Sequence, residues 1–174
     1  MKVPSDWFGT VSLADTAFAS AAFEKVDQVL DALQPTELDQ LRSFAGFADA
    51  HVQINLHHIS GRDWSDVDLH YTEDSGGMFN PLGHEEYYRL AGEPAVEQDA
   101  LDDLTVVLTS IYTSEETWWR GRRIRTVVRQ TNGGEDLGTS VAGWPLLPPR
   151  WLLPRDQLTT RRHTLSYGGH AASE

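Results

Sequence analysis

Apolar and polar residues alternate along this chain with two different periods, and the change of period sets the expected order of elements. From about Leu13 to Leu33, Phe18, Ala22, Val26, Leu30 and Leu33 recur at helical spacing, with Glu24, Asp27, Gln28 and Asp31 off the stripe. Ser12, followed three residues later by Asp15, is placed to cap that helix. Gln34-Pro35 breaks it and opens a second helix, which carries Leu38, Leu41, Phe44, Ala45 and Ala48 on one face. The spacing therefore predicts an N-terminal helical hairpin.

The period then becomes two. Val52, Ile54, Leu56 and His58 alternate with His51, Gln53, Asn55 and His57, and Val67, Leu69 and Tyr71 alternate with Asp66, Asp68 and His70. Such alternation predicts half-buried strands. Ser60-Gly61-Arg62-Asp63 reads as the loop between them, Asp74-Ser75-Gly76-Gly77 as a second turn, and Met78 to Asn80 as a short third strand. His84 to Ala91 reads as a helical turn. Pro94 then suits the first turn of a longer helix whose buried face is Leu101, Leu104, Val107, Leu108 and Ile111. Carboxylates at Glu97, Asp99, Asp102 and Asp103 favour the dipole at its start.

The last third predicts a β-meander. Glu116 to Arg120 and Arg122 to Thr131 flank Gly121, and Asn132-Gly133-Gly134 is a strong hairpin signal before Asp136 to Ala142. Residues 144–154 hold four prolines among Trp144, Leu146, Leu147, Trp151, Leu152 and Leu153, which forbids a helix interior and predicts an extended strap packed over the domain. The expected fold is α+β: the helical hairpin and a third helix on one face of an antiparallel sheet of five or six strands, closed by the proline-rich C-terminal strap. Residues 1–160 form one domain in this reading, and residues 161–174 a mobile tail. By element order alone this resembles the cone-shaped α+β fold of the NTF2-like superfamily; no residue motif carries the resemblance, and no family is assigned.

Composition narrows the chemistry. The chain has 174 residues and no cysteine, which removes disulfides, thiolate metal sites and a cysteine nucleophile, and fits a cytoplasmic location. Asp6 and Asp15 interrupt the first twenty residues, so no signal peptide is expected, and no stretch reaches the length of a membrane span. The net charge of −12 is unevenly spread: residues 1–116 carry 5 Lys and Arg against 22 Asp and Glu, whereas residues 117–174 carry 9 Arg against 4. No phosphate-loop, dinucleotide-binding, zincin or nucleophile-elbow motif is present.

Several residue sets remain as candidates. His57, Asp68 and His70 share the polar parity of the first hairpin and are ligand types for a divalent metal, but the plainer reading is a wet face of the ribbon, and neither a metal nor a cofactor is assigned. His58 lies on the apolar parity, where a neutral, hydrogen-bonded core histidine is the favoured reading over a pocket base. Arg123, Arg125 and Arg129 share one expected face of a strand that follows Trp118 and Trp119, a pattern that can bind single-stranded nucleic acid. The acidic remainder of the chain disfavours that partner.

The function expected is a non-enzymatic acidic binding protein that neutralises or covers a basic protein partner, of the inhibitor or toxin-immunity type. Asp63, Asp66, Asp68, Glu73, Asp74, Glu85 and Glu86 are its expected contacts. The alternative is a small-molecule binder or cofactor-free enzyme with His58, Tyr71, Asp68 and Arg125 lining a pocket between sheet and helices.

Overall fold

A computed structural model describes residues 6–62, 65–72, 75–79, 85–89, 96–143 and 154–168, with residues 79, 85–89 and 155 described by backbone alone. The described residues form ten strands and two helices. They divide into two compact units, residues 1–110 with 166–174 and residues 111–165.

The first unit is a six-stranded sheet, β1 (Thr10–Leu13), β2 (Phe44–Phe47), β3 (Val52–Leu56), β4 (Val67–Tyr71), β5 (Ser75–Phe79) and β6 (Glu85–Arg89), in that spatial order. β1 pairs with β2 in parallel and every other pair is antiparallel. Helices α1 (Ala17–Leu33) and α2 (Val96–Thr109) touch each other and the sheet. Ala22, Val26 and Leu30 of α1, Ala100, Leu104 and Leu108 of α2, and Val52, Ile54, Leu56, Val67 and Leu69 of the sheet are completely buried. Burying a side chain of this kind contributes about 1.5–3 kcal/mol, so this apolar layer holds the unit together.

The predicted helical hairpin is not present. α1 ends where the sequence indicates: Gln34 adopts a left-handed conformation (φ 47°) and its N–H bonds to Leu30 O at 2.8 Å. Its start differs. Thr16, not Ser12, caps it, with Oγ1 accepting from Ala19 N at 3.2 Å, because Ser12 is paired in β1. Residues 35–48 form turns and β2 instead of a second helix. There Ser43, Ala45 and Phe47 are buried, while Leu41 is 90% exposed and Phe44 points outward. Burial of period two replaces the apolar spacing of period three and four, and the two flanking strands supply the hydrogen bonds that a helix would have made internally.

Two further elements differ in the same direction. The expected turn at Asp74–Gly77 is largely strand, since β5 runs through Gly76 and Gly77. Gly76 lies opposite Tyr71, and a Cβ there would come within 2.6 Å of Tyr71 Cβ and 2.7 Å of His70 O, so only glycine admits this approach. The expected helical turn at 84–91 contains β6, which pairs Glu86 with Met78. α2 matches its predicted buried face up to Leu108; Ile111 lies beyond the helix end and is 48% exposed.

The second unit is a four-stranded sheet of β7 (Ile111–Trp119), β8 (Arg122–Asn132), β9 (Glu135–Gly143) and β10 (Leu158–Ser166), in the order β10-β7-β8-β9: the first three form an antiparallel meander, and β10 is added at its edge. Tight hairpins join the first three. Arg120 and Gly121 have φ of 49° and 77°, and Gly133 and Gly134 have 57° and 90°, the left-handed backbone of two-residue turns. The strands therefore form two sheets, not one, and this with the missing helical hairpin overturns the expected architecture. The stretch expected to begin a mobile tail at residue 161 is edge strand β10, and Leu165 and Tyr167 in it and just after it are buried. Tyr167 belongs to the first unit, where its carbonyl accepts from Glu37 N at 3.1 Å and its hydroxyl donates to Ser65 O. The predicted strap, apart from Pro154, lies outside the described residues.

Candidate functional site

Register decides the fate of the first hairpin. Pairing of Val52 with Tyr71 and of Leu56 with Val67 continues to place His57 across from Asp66, two residues from the expected partner Asp68. His57 Nδ1 and Asp66 Oδ2 are 2.8 Å apart. Asp68 lies opposite Asn55, and His70 opposite Gln53. His57, Asp68 and His70 thus occupy three alternate cross-strand rows, and no group of three His, Asp or Glu residues placed to hold a metal ion occurs among the described residues. Asp66 Oδ1, Asp68 Oδ1 and Asn55 Oδ1 are buried without hydrogen-bond partners. Of the other expected contacts, Asp63, Glu73 and Asp74 lie outside the described residues. Glu85 and Glu86 are placed on β6, where the backbone alone is described.

The residues of the expected pocket do not converge. His58 is 5% exposed and both ring nitrogens are engaged: Nε2 is 3.1 Å from Ser166 O, and Nδ1 accepts from Ser60 N at 3.0 Å. That pair of partners fits a neutral imidazole protonated on Nε2. Burial lowers its pKa, against the smaller upward pulls of the Ser166 carbonyl, Glu37 and Asp66. Its ring meets Tyr167 edge to face, with centroids 5.3 Å apart. Tyr71 is buried near the other end of the hairpin, about 20 Å away at a strand rise of 3.4 Å per residue. Burial first, and then the Glu97 carboxylate, push the Tyr71 phenol far above its ordinary value, and its hydroxyl makes no hydrogen bond of ordinary geometry. Asp68 alternates with Tyr71 and points to the opposite face of β4, and Arg125 belongs to the second unit.

The second unit holds two arrangements that the alternation alone did not show. Between Thr117 and Trp118 the register of β7 on β8 shifts by one residue. The expected common face of Arg123, Arg125 and Arg129 is split by this bulge. Arg123 reaches toward Glu116, Nη1 to Oε1 at 3.5 Å, whereas Arg125 and Arg129 stay on the other side of the strand. Glu116 is 3% exposed. Its Oε2 accepts from Trp118 Nε1 at 3.0 Å and lies 3.6 Å from His163 Nε2, and the Arg161 guanidinium stacks 4.5 Å from the centre of the Trp118 ring. A buried carboxylate flanked by an indole N–H, a guanidinium and an imidazole forms a closed polar cluster.

On the opposite face lies an open groove of about 440 Å³. Thr113 and Glu115 of β7, Arg125, Val127 and Arg129 of β8, and Arg162 and Thr164 of β10 line it. Register sets Thr113 across from Arg129 and Glu115 across from Val127. Arg162 Nε and Nη2 both lie 3.1 Å from Glu115 Oε2.

No helix among the described residues is long and apolar enough to cross a membrane. Comparison with protein-family models, with curated proteins and with solved structures finds no match for this chain.

Proposed function

We propose that this chain is a non-enzymatic binding protein whose acidic first unit covers a basic protein partner. One observation carries the reading: the change in charge along the sequence, after residue 116, falls close to the start of the second compact unit at residue 111. The first unit contains 5 Lys and Arg against 21 Asp and Glu, a net −16, and the second contains 9 Arg against 5, a net +4. The arginine–carboxylate pairs Arg162–Glu115 and Arg123–Glu116 both lie within the second unit. On the first unit, Glu24 and Asp31 of α1 and Asp99 and Asp102 of α2 stand exposed on the outward sides of two adjoining helices. This helical layer supports the reading better than the first hairpin does: Asp31 and Asp102 hold Trp7 and Gln98, but Glu24 and Asp99 are exposed with no bond to a neighbour among the described residues, whereas Asp66 holds His57 and one oxygen of Asp68 is buried. A rigid array of like charge steers an oppositely charged partner and speeds encounter at low ionic strength.

The test is a low-salt pull-down from native lysate, followed by association kinetics with the partner so identified. The on-rate should fall about tenfold or more between low and moderate salt, where screening shortens to about 8 Å. The triple variant Glu24→Lys, Asp99→Lys, Asp102→Lys should slow association at fixed salt. An on-rate indifferent to both would remove the basis of the proposal.

A further inference from the structure

The open face of the second sheet is lined by three arginines, two of which no neighbour among the described residues satisfies. Among the described residues, the guanidinium groups of Arg125 and Arg129 have no ion-pair or hydrogen-bond partner. Arg120, Arg123, Arg161 and Arg162 do have partners, in Gln157, Glu116, the Trp118 ring and Glu115. Arg125 and Arg129 sit four residues apart on β8, and Arg162 sits on β10, which is separated from β8 by β7 alone. Adjacent strands lie about 4.8 Å apart, so Arg162 starts about 10 Å from β8, and all three long side chains can reach one object in the groove. Thr113 and Thr164 add hydroxyl groups at its wall, and Glu115, already held by Arg162, is the single carboxylate among the lining residues.

We propose that this groove binds a compact phosphate-bearing small molecule, its oxyanions held by Arg125, Arg129 and Arg162. Guanidinium forks match phosphate oxygens in pairs and remain charged at any physiological pH. Three forks spread over two strands suit several oxyanion groups, as in a diphosphate, better than one carboxylate. The volume of about 440 Å³ falls in the range of small-molecule sites. Single-stranded nucleic acid requires aromatic platforms as well as cations, and no Trp, Tyr or Phe lines the groove. Of the two tryptophans that precede β8, Trp118 is bonded to Glu116 and stacked by Arg161, and Trp119 is stacked by Arg120, whose guanidinium lies 4.9 Å from its ring centre.

Calorimetric titration with inorganic pyrophosphate tests the site in the full chain. Saturable one-to-one binding is expected. Arg125→Ala with Arg129→Ala should weaken it about tenfold or more, the usual effect of losing charge-assisted hydrogen bonds. Arg129→Lys, which keeps the charge and the fold but loses the fork, should weaken it several-fold. Glu115→Gln releases Arg162 and should tighten binding. Arg161→Ala removes one equal charge on the Trp118 side of the sheet and should change affinity less than about twofold. Absence of saturable binding, equal weakening by Arg161→Ala and Arg129→Ala, or binding of a thymidine oligonucleotide that pyrophosphate fails to displace would each overturn the proposal.

Discussion

His58 couples the stability of the first unit to pH, and the sign and size of that coupling follow from its surroundings. The imidazole is buried, accepts a hydrogen bond from Ser60 N at Nδ1 and faces the Ser166 carbonyl at Nε2. A proton added at Nδ1 would break the first bond and place a charge in a dry site. Burial therefore holds the folded pKa below 6.5. As pH falls through 6.5, the unfolded chain takes up a proton at this position and the folded chain does not, so stability is lost with falling pH until the folded value is passed. One proton sets the limiting slope at about 1.4 kcal/mol per pH unit. His58→Gln keeps a donor for Ser166 and cannot titrate. At pH 7.5 it should cost about 0.5–1.5 kcal/mol for imperfect hydrogen bonding. Between pH 7.5 and 5.5 the wild type should then lose up to about 1.4 kcal/mol more than the variant. Urea denaturation followed by circular dichroism at intervals across this range measures both curves, and their difference cancels the other histidines and the carboxylates. Parallel curves would show that His58 titrates alike in both states and would refute the argument.

The close approach of β5 to β4 predicts that Gly76→Ala destabilises the chain by about 1–3 kcal/mol, because the new methyl group must displace Tyr71 Cβ or the His70 carbonyl, both fixed by strand pairing. The urea midpoint reads this, and an unchanged midpoint would mean that the strands separate freely there. Tyr167→Phe removes the donor to Ser65 O and leaves a buried carbonyl short of one bond, at a cost of about 1–3 kcal/mol. Amide hydrogen exchange around Ser65 should quicken in that variant, and no change in exchange would place the anchor elsewhere.

Much of the local structure was legible because single faces of single elements carry it. The stripe Ala22, Val26, Leu30 and Leu33 faces inward on α1, as the spacing requires, and Gln34 ends the helix. Val52, Ile54, Leu56, Val67, Leu69 and Tyr71 are buried in strict alternation, and the glycine turns at 121 and 133–134 close their hairpins. Residues 35–48 and 84–91 misled because their apolar residues occur at spacings that suit a helix, while the features that made strands of residues 44–47 and 85–89 lie elsewhere in the chain. β2 exists because β1 and β3 flank it, and β6 because β5 offers an edge. The candidate sites show the same limit. The expected trio of His57, Asp68 and His70 depended on a register two residues away from the one adopted, and no signal within the hairpin distinguishes the two. The arginine pattern of β8 was visible, but a bulge that moves Arg123 away from Arg125 was not, since it arises from pairing with β7.

By itself the sequence determined the periods of burial, the ends marked by glycine and by Gln34-Pro35, the absence of thiol chemistry and the division of charge. These depend on residue type and on contacts within a few positions, where sterics and alternation act directly. Tertiary structure alone decided that the strands form two sheets, that residues 44–47 join one of them, and which polar side chains meet. Those outcomes turn on hydrogen bonds between backbone segments far apart in the chain. A shift of one residue in such pairing costs little locally and yet carries every side chain of a strand to its other face.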